Sequence, residues 1–195
     1  MDLGYWLWLS SLNGLRQETA LKFVEAFGSV KQLYYADKRD LEQAGIIAAT
    51  AKELNLLSNK NMKRAAEIEK RCEELGVRIL CLMDAAYPER LRNIYNPPLV
   101  IYIKGNLPNV DETVCIGVVG TRKASSYGLE TAERIGRELA EGGAAVITGI
   151  AEGIDTAAAK GALKAGGRVV AVLGTGPDIV YPAWNSRLQN TIAKV

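Results

Sequence analysis

Short apolar runs and longer amphipathic stretches follow one another in the second half of the chain. The apolar runs are VCIGVVG (114–120), AAVITG (144–149) and RVVAVLG (168–174). Between the first two, Leu129, Ala132, Ile135 and Leu139 fall on one stripe of a predicted helix, the face that such a helix buries, and DTAAAKGALKAGG separates the second from the third. β-branched runs that alternate with helices predict the order strand–helix–strand–helix–strand in a parallel sheet, and the first run is of the kind buried on both faces. We therefore predict a partial Rossmann-like, doubly wound domain over residues 113–195, and an α/β fold.

The chain ends soon after the third predicted strand. The segment YPAWNSRLQNTIAKV begins a further helix there. A complete doubly wound sheet contains roughly two or three more strands than this pattern supplies. We therefore expect an unusually exposed sheet edge and interpret the chain as a truncated form of a longer protein.

Residues 1–75 are predicted to be helical and contain an internal repeat. LSSLNGLRQETALKF and LEQAGIIAATAKEL share a glycine turn followed by a helix, in which Gly14 and Gly45 would adopt the turn conformation that other residues resist. This pattern is typical of a double helix-hairpin-helix (SAM-like) domain. Its turns could place backbone N–H groups against a nucleic-acid phosphate, or its hairpins could contact only protein. Arg16 is the single basic residue of the two turns.

An extended segment connects the two parts. NMKRAAEIEKRCEELG predicts an amphipathic helix that ends at Gly76, and VRILCL predicts a strand after it. Pro97 and Pro98 exclude a helix and leave LVIYIKG extended. We assign residues 76–112 as extended lead-in and linker, because GNLPNVDE is rich in turn-forming residues near the boundary.

Composition excludes several kinds of site. The 195 residues have a net charge of +2 and contain no histidine, so histidine-based catalysis and histidine metal ligands are absent, and we predict no metal site. The three cysteines have neither disulfide nor zinc spacing and are typical of buried thiols in a reducing compartment. The N-terminus carries Asp2 and only a short apolar run, so we predict neither a signal peptide nor a membrane segment, and a cytoplasmic location.

Three glycine-rich loops are expected to meet at one edge of the sheet. GTRKASSYG, TGIAEGID and GTGPDIVYP each follow a predicted strand, and ligands of open parallel sheets bind at the carboxyl ends of the strands. The G-x-G-x-x-G fingerprint and an acidic residue after the second strand are both missing, which argues against NAD and FAD. A Walker loop is also missing, which argues against ATP hydrolysis. We therefore predict an anion site without a cofactor.

The first two loops supply the candidate phosphate ligands. They are Gly120, Thr121, Arg122, Lys123 and Ser125 in the first loop, and Thr148, Gly149 and Gly153 in the second. Arg122 can bind a phosphate with two parallel hydrogen bonds and Lys123 adds a point charge, unless Arg122 pairs with Asp155. Asp155 itself is predicted to be the N-cap of the second helix. Tyr127 either stacks on a base or packs under the loop, and Glu152 is expected to face solvent.

At these residues the chain resembles the DprA/Smf family of DNA-processing proteins. The matches cover nearly the whole chain and are specific in the loops. Gly120, Thr121 and Arg122 match the family's Gly-Ser/Thr-Arg turn. The family's Ser-Gly-x-Ala-x-Gly-x-Asp loop is matched by Thr148, Gly149, Ala151, Gly153 and Asp155. After the third strand, the matching residues are Tyr181, Pro182 and Asn185. Ala159 stands where the family usually has histidine, and the family's sheet continues past Val195.

The resemblance implies a cytoplasmic, dimeric protein that binds single-stranded DNA. It also implies a role in natural transformation, in which the protein loads the RecA recombinase onto incoming strands, and no enzymatic activity. The family's pattern would place backbone phosphate against Gly120, Thr121 and Arg122.

Two alternatives remain open from the residues alone. The first is an enzyme that acts on nucleoside monophosphates, similar to the phosphoribohydrolases, with Asp178 as the candidate acid; a turn aspartate is the simpler interpretation of that residue. The second is a protein-docking module that uses the N-terminal hairpins and does not bind DNA.

Overall fold

A computed structural model of the protein describes residues 2–195. The chain divides into two compact units, one ending at Tyr102 and the other beginning at Ile103. This division falls inside the segment 76–112, which we predicted as lead-in and linker.

The first unit is mainly helical and contains both predicted glycine turns. Its helices are α1 (Leu3–Ser10), α2 (Gln17–Phe27), α3 (Val30–Tyr35), α4 (Lys38–Gln43), α5 (Ala51–Ser58), α6 (Lys63–Glu74) and the short α7 (Glu89–Arg92). Gly14 has φ of 95° between α1 and α2, and Gly45 has φ of 66° between α4 and α5. Both glycines therefore occupy the left-handed conformation that the turn pattern predicted. Trp8, Phe23 and Leu33 are fully buried in this unit.

Side-chain caps determine where several of these short helices begin. The Ser29 side chain accepts a hydrogen bond from the Gln32 amide at the start of α3. Asp37 and Asp40 form a reciprocal capping box on α4, and Thr50 and Glu53 form another on α5.

The strands β1 (Val77–Cys81) and β2 (Val100–Lys104) form a two-stranded sheet, and α7 lies between them in the sequence.

The second unit is the predicted half of a doubly wound fold. Its elements are β3 (Cys115–Gly117), α8 (Ser126–Glu141), β4 (Ala145–Thr148), α9 (Ile154–Lys164), β5 (Val169–Ala171), a 3-10 turn (Ala183–Asn185) and α10 (Ser186–Ile192). The strand order is β3-β4-β5 and both pairs are parallel. The α/β fold with a partial parallel sheet is thus confirmed.

Helices α8 and α9 pack with their backbones in close approach. A Cβ on Gly136 would collide with the Ala158 carbonyl, and a Cβ on Gly161 would collide with the Glu133 carbonyl. The two glycines therefore allow the helices to lie against each other. The core beneath them contains Val146, Ile150, Ala159, Ala162, Val169 and Leu188. Ala159, where the family usually has histidine, is thus a packing residue in this chain.

Two predictions of burial in this unit were wrong. Leu129 and Ile135 were placed on the buried stripe of α8, but both are exposed, because α8 contacts α9 through Ala132 and Gly136. The first strand was expected to be buried on both faces, yet Ile116 is exposed. Among residues 2–195, β3 pairs with β4 on one side and with no strand on the other, so it is an edge strand. This agrees with the exposed sheet edge that we expected.

Candidate nucleic-acid interface

Arg122 lies on the exposed loop between β3 and α8. Its guanidinium carbon is 5.8 Å from the ring centroid of Tyr181, which is a cation–π distance. No carboxylate among the residues that the structure describes forms an ion pair with Arg122. Gly120, Thr121 and Lys123 are exposed beside it. The guanidinium is therefore available to an anion from solvent, and the alternative of an Arg122–Asp155 pair does not occur.

Asp155 connects the first two loops instead of capping its helix. One carboxylate oxygen accepts the Gly120 N–H at 3.1 Å and the other accepts the Gly149 N–H at 3.2 Å. The N-cap position of α9 belongs to Gly153. The predicted cap was therefore wrong: the buried Asp155 side chain turns back to two amides that arrive from different strands.

This bridge uses the two amides that we expected to face a phosphate. An N–H group that already donates to a carboxylate has no free hydrogen for a ligand. The N–H groups of Thr121 and Arg122 have no protein acceptor among residues 2–195. The anion-binding capacity of the first loop therefore depends on the Arg122 and Lys123 side chains and on these two amides.

Gly153 has a structural role in the same connection. It has φ of 88°, and a Cβ there would collide with the Thr121 carbonyl. The neighbouring Ile154 N–H donates to that same carbonyl at 3.3 Å. Because only glycine fits this approach, Gly153 lets the second loop contact the first through backbone atoms.

The remaining predicted ligands also have protein partners or lie inside. The Ser125 hydroxyl accepts the Gly128 N–H at 3.2 Å and caps α8. The Thr148 hydroxyl is buried, with no hydrogen-bond partner in the described chain. Glu152 is exposed, as expected. Of the eight candidate ligand residues, Arg122 and Lys123 thus present the charged groups.

Asn185 holds the second loop through buried hydrogen bonds, a role that the sequence did not reveal. Its amide nitrogen donates to the Ile150 carbonyl at 2.9 Å and to the Thr156 hydroxyl at 2.7 Å. That hydroxyl donates to the Ala151 carbonyl at 2.6 Å. Ile150 is buried and has φ of 47°, a strained conformation for a β-branched residue. The buried network holds this conformation in place.

Three exposed aromatic side chains of this unit bear on the site. Tyr181 is 54% exposed and lies beside Arg122. Trp184 is also exposed, and the Lys160 ammonium lies 6.0 Å from its ring. Tyr127 is 77% exposed, which fits a stacking residue better than one packed under the loop. Tyr181 and Trp184 were not predicted as site residues; each is an aromatic residue near a proline turn, which alone does not indicate a site.

The hairpins of the first unit offer a poorer phosphate site. The Arg16 Nε lies 2.9 Å from Glu53 Oε1, and its Nη2 lies 2.9 Å from Glu53 Oε2. The Glu53 carboxylate also accepts the Arg16 and Thr50 N–H groups. These hydrogen bonds, chiefly from the Arg16 side chain, hold the pKa of Glu53 well below its usual range. The single basic residue of the two turns is thus neutralised at the α5 N-terminus.

A family model described as DNA recombination-mediator protein A matches residues 78–195. The chain belongs to this family. The matched segment contains β3–β5, the Asp155 bridge and Arg122, so the site described above lies inside it. The resemblance noted from the loop residues is confirmed.

Curated relatives of this family include proteins from several bacteria. The DNA processing protein DprA of Streptococcus pneumoniae is 40% identical over 111 residues, which are 57% of this chain and 39% of that protein. The DprA of Bacillus subtilis is 32% identical over 62% of this chain and 41% of its own length. Protein Smf of Escherichia coli is 26% identical over 96% of this chain and 48% of its own length. The chain thus spans less than half the length of these relatives.

Two solved structures of the family resemble the fold. The crystal structure of Streptococcus pneumoniae DprA matches with a TM-score of 0.75 and 30% identity, over 98% of this chain and 64% of that one. Helicobacter pylori DNA processing protein A matches with a TM-score of 0.53 and 25% identity, over 60% of this chain and 52% of that one. That second protein is described by its unique single-stranded DNA binding mode.

Two further features bear on the kind of site. Within residues 2–195, no helix has the length and apolar character needed to cross a bilayer. The same residues contain no group of three acidic or cysteine side chains that could hold a metal ion. Cys72 and Cys81 are buried thiols, and burial raises the pKa of Cys81 to about 11.

Proposed function

We propose that this chain binds single-stranded DNA at the loops that follow β3 and β5. The observation that carries the proposal is the exposed Arg122 guanidinium, which has no carboxylate partner in the described chain and lies beside the Tyr181 ring. Membership of a DNA-processing family supports it, as does the single-stranded DNA binding mode of the Helicobacter pylori relative.

The contacts would go mainly to the DNA backbone. Arg122 would bind a phosphate with two hydrogen bonds, and Lys123 would add a second positive charge. The exposed rings of Tyr181 and Tyr127 would accept unpaired bases by stacking. Since neither kind of contact distinguishes bases strongly, we expect weak sequence preference and a strong dependence on salt.

Titration of a labelled thymidine oligonucleotide at two salt concentrations tests this assignment. Arg122→Ala should weaken binding about 10- to 150-fold at low salt, which corresponds to the loss of about 1.5–3 kcal/mol, the contribution of one hydrogen bond to a charged group. It should also reduce the slope of log affinity against log salt by about 0.7, the value for one phosphate contact on a single strand. Arg134→Ala is the matched control, because Arg134 is exposed on α8 and pairs with Glu138 at 3.2 Å.

The two variants remove the same charge, but Arg134 lies on the α8 surface and pairs with Glu138, whereas Arg122 lies on the loop and has no carboxylate partner in the described chain. If Arg122→Ala and Arg134→Ala weaken binding equally, a general positive field explains the affinity and the loop has no special role. If neither variant changes binding, the assignment of this loop to phosphate is incorrect.

We extend the proposal to the family's cellular role. The chain would act in the cytoplasm, in natural transformation, and would form a homodimer that loads RecA onto incoming single strands. Sedimentation at increasing protein concentration would test the dimer. The rate of RecA filament formation on strands covered by a single-strand-binding protein would test the loading. A binding role without catalysis predicts that incubation with AMP releases no free base, whereas a phosphoribohydrolase would release it.

A further inference from the structure

A cluster of aromatic side chains lies on the first unit, which contains none of the residues assigned to the site above. The Tyr5 and Tyr34 ring centroids are 5.0 Å apart, and the Tyr34 ring makes edge contacts with Tyr35 at 5.3 Å and with Trp8 at 5.1 Å. Trp8 is fully buried, whereas Tyr35 is 68% exposed. The cluster therefore extends from the core to the surface and ends in the Tyr35 ring.

Tyr35 is held in place although it is exposed. Its ring contacts Tyr5 edge-on at 6.0 Å, and the two hydroxyl oxygens are 3.1 Å apart. Tyr34 behind it is fixed by a hydrogen bond of 2.6 Å from its hydroxyl to the Lys60 carbonyl. An aromatic ring that is already fixed loses little conformational entropy when a ligand stacks on it.

Positive charges lie beside this ring. Lys31 precedes Tyr35 by four positions on α3, so the two side chains share one face of the helix. Lys38 opens α4 three residues after Tyr35. Both lysines are exposed, and within residues 2–195 neither forms an ion pair. The nearby acids Asp37 and Asp40 are engaged with each other's backbone N–H groups at 2.9 Å in the capping box.

We propose that Tyr35, with Lys31 and Lys38, forms a second contact for single-stranded nucleic acid, in which a base stacks on Tyr35 and adjacent phosphates pair with the lysines. A fixed aromatic ring with one unpaired cation before it and another after it in the sequence suits the alternation of bases and phosphates along a single strand. A protein partner would require a larger apolar surface than this one ring supplies. The proposal does not depend on Arg122, which belongs to the other unit.

Two labelled oligonucleotides of equal length, one of thymidine and one abasic, separate stacking from phosphate contact in the full chain. Tyr35→Ala should weaken binding of the thymidine strand by about 5-fold or more, the lower end of what one base–aromatic stack contributes. It should leave binding of the abasic strand unchanged. Tyr35→Phe keeps the ring and should retain most of the affinity. Tyr95→Ala is the control, because Tyr95 is 93% exposed in the same unit.

The Arg122→Ala background shows whether the two contacts are independent. In that background Tyr35→Ala should weaken binding by the same factor as in the unchanged protein. If Tyr35→Ala alone weakens binding and Arg122→Ala alone does not, the result supports this contact and refutes only the proposed function. If Tyr35→Ala and Tyr95→Ala changed the affinity for the thymidine strand equally, the proposal would be overturned. A protein partner would then be the remaining candidate ligand for the Tyr35 ring. The proposal would also be overturned if Tyr35→Ala weakened binding of the abasic strand as much as binding of the thymidine strand. It would be overturned as well if Tyr35→Ala and Tyr35→Phe both weakened binding and both changed the circular dichroism spectrum.

Discussion

The Asp155 carboxylate should be the main connection between the first two loops of the second unit. Asp155→Asn keeps the size of the side chain but replaces one of its two acceptor oxygens with an NH₂ donor. In the structure both oxygens accept a backbone N–H, one from Gly120 and one from Gly149. The asparagine could satisfy one of these amides only, and would place a donor against the other.

The expected cost follows from these two contacts. Hydrogen bonds to a charged group contribute about 1.5–3 kcal/mol each, and a buried N–H left without an acceptor costs about 1–3 kcal/mol. Asp155 is buried, so water cannot replace the lost acceptor without opening the loops. We therefore expect Asp155→Asn to destabilise the second unit by about 2–5 kcal/mol, a large part of the stability of an ordinary domain.

Amide hydrogen exchange measures this effect where it occurs. Exchange at Gly120 and Gly149 should accelerate about 30-fold or more in Asp155→Asn, which corresponds to about 2 kcal/mol of local opening. Glu152→Gln makes the same chemical change on an exposed residue of the same loop and should alter stability by less than about 0.5 kcal/mol. Equal exchange rates in the two variants and the unchanged protein would refute the bridge as a stabilising contact.

Two further predictions concern packing and pH. Gly136→Ala should lower the stability of the second unit by about 1–3 kcal/mol in thermal denaturation, because the new Cβ would collide with the Ala158 carbonyl. The control is Gly142→Ala, whose Cβ would lie 3.4 Å from the nearest carbonyl oxygen and should change the stability little. Equal effects of the two variants would contradict the close packing of α8 and α9. The depressed pKa of Glu53 stabilises the first unit above its ordinary pKa of about 4.3, and this stabilisation is lost as the pH falls further. Urea denaturation at a series of acidic pH values should show this loss in the unchanged protein and in Glu25→Gln but not in Glu53→Gln, and a loss of the same size in Glu53→Gln would contradict it.

Local pattern was enough to predict the elements of the second unit. The β-branched runs that end in glycine and the helices between them appear where they were predicted, in parallel order. The stripe on α8 was misjudged because periodicity shows that a helix has a buried face but not what covers it. Here another helix covers it, and contact between two backbones selects Gly136 instead of Leu129 or Ile135.

The site was less predictable because its contacts join residues distant in sequence. The Arg122 loop was found from its position after a strand, but the partners of Asp155 depend on the arrangement of two strands in space. Asn185 hydrogen-bonds to a carbonyl 35 residues away, and no local pattern predicts such a bond. Tyr181 became part of the site only when its ring was found beside Arg122.

The internal carboxylate at this site also bears on which anions it can hold. A loop that binds one small phosphate tightly surrounds it with several free backbone N–H groups. Here Asp155 occupies two of those donors, and its negative charge lies under the loop. A single nucleotide would therefore gain the side-chain contacts of Arg122 and Lys123 and the two N–H groups of Thr121 and Arg122 that are free within residues 2–195, and little more. A polymer can repeat such modest contacts along its length and add stacking at each exposed ring, which is why we propose a single strand and not a mononucleotide as the ligand.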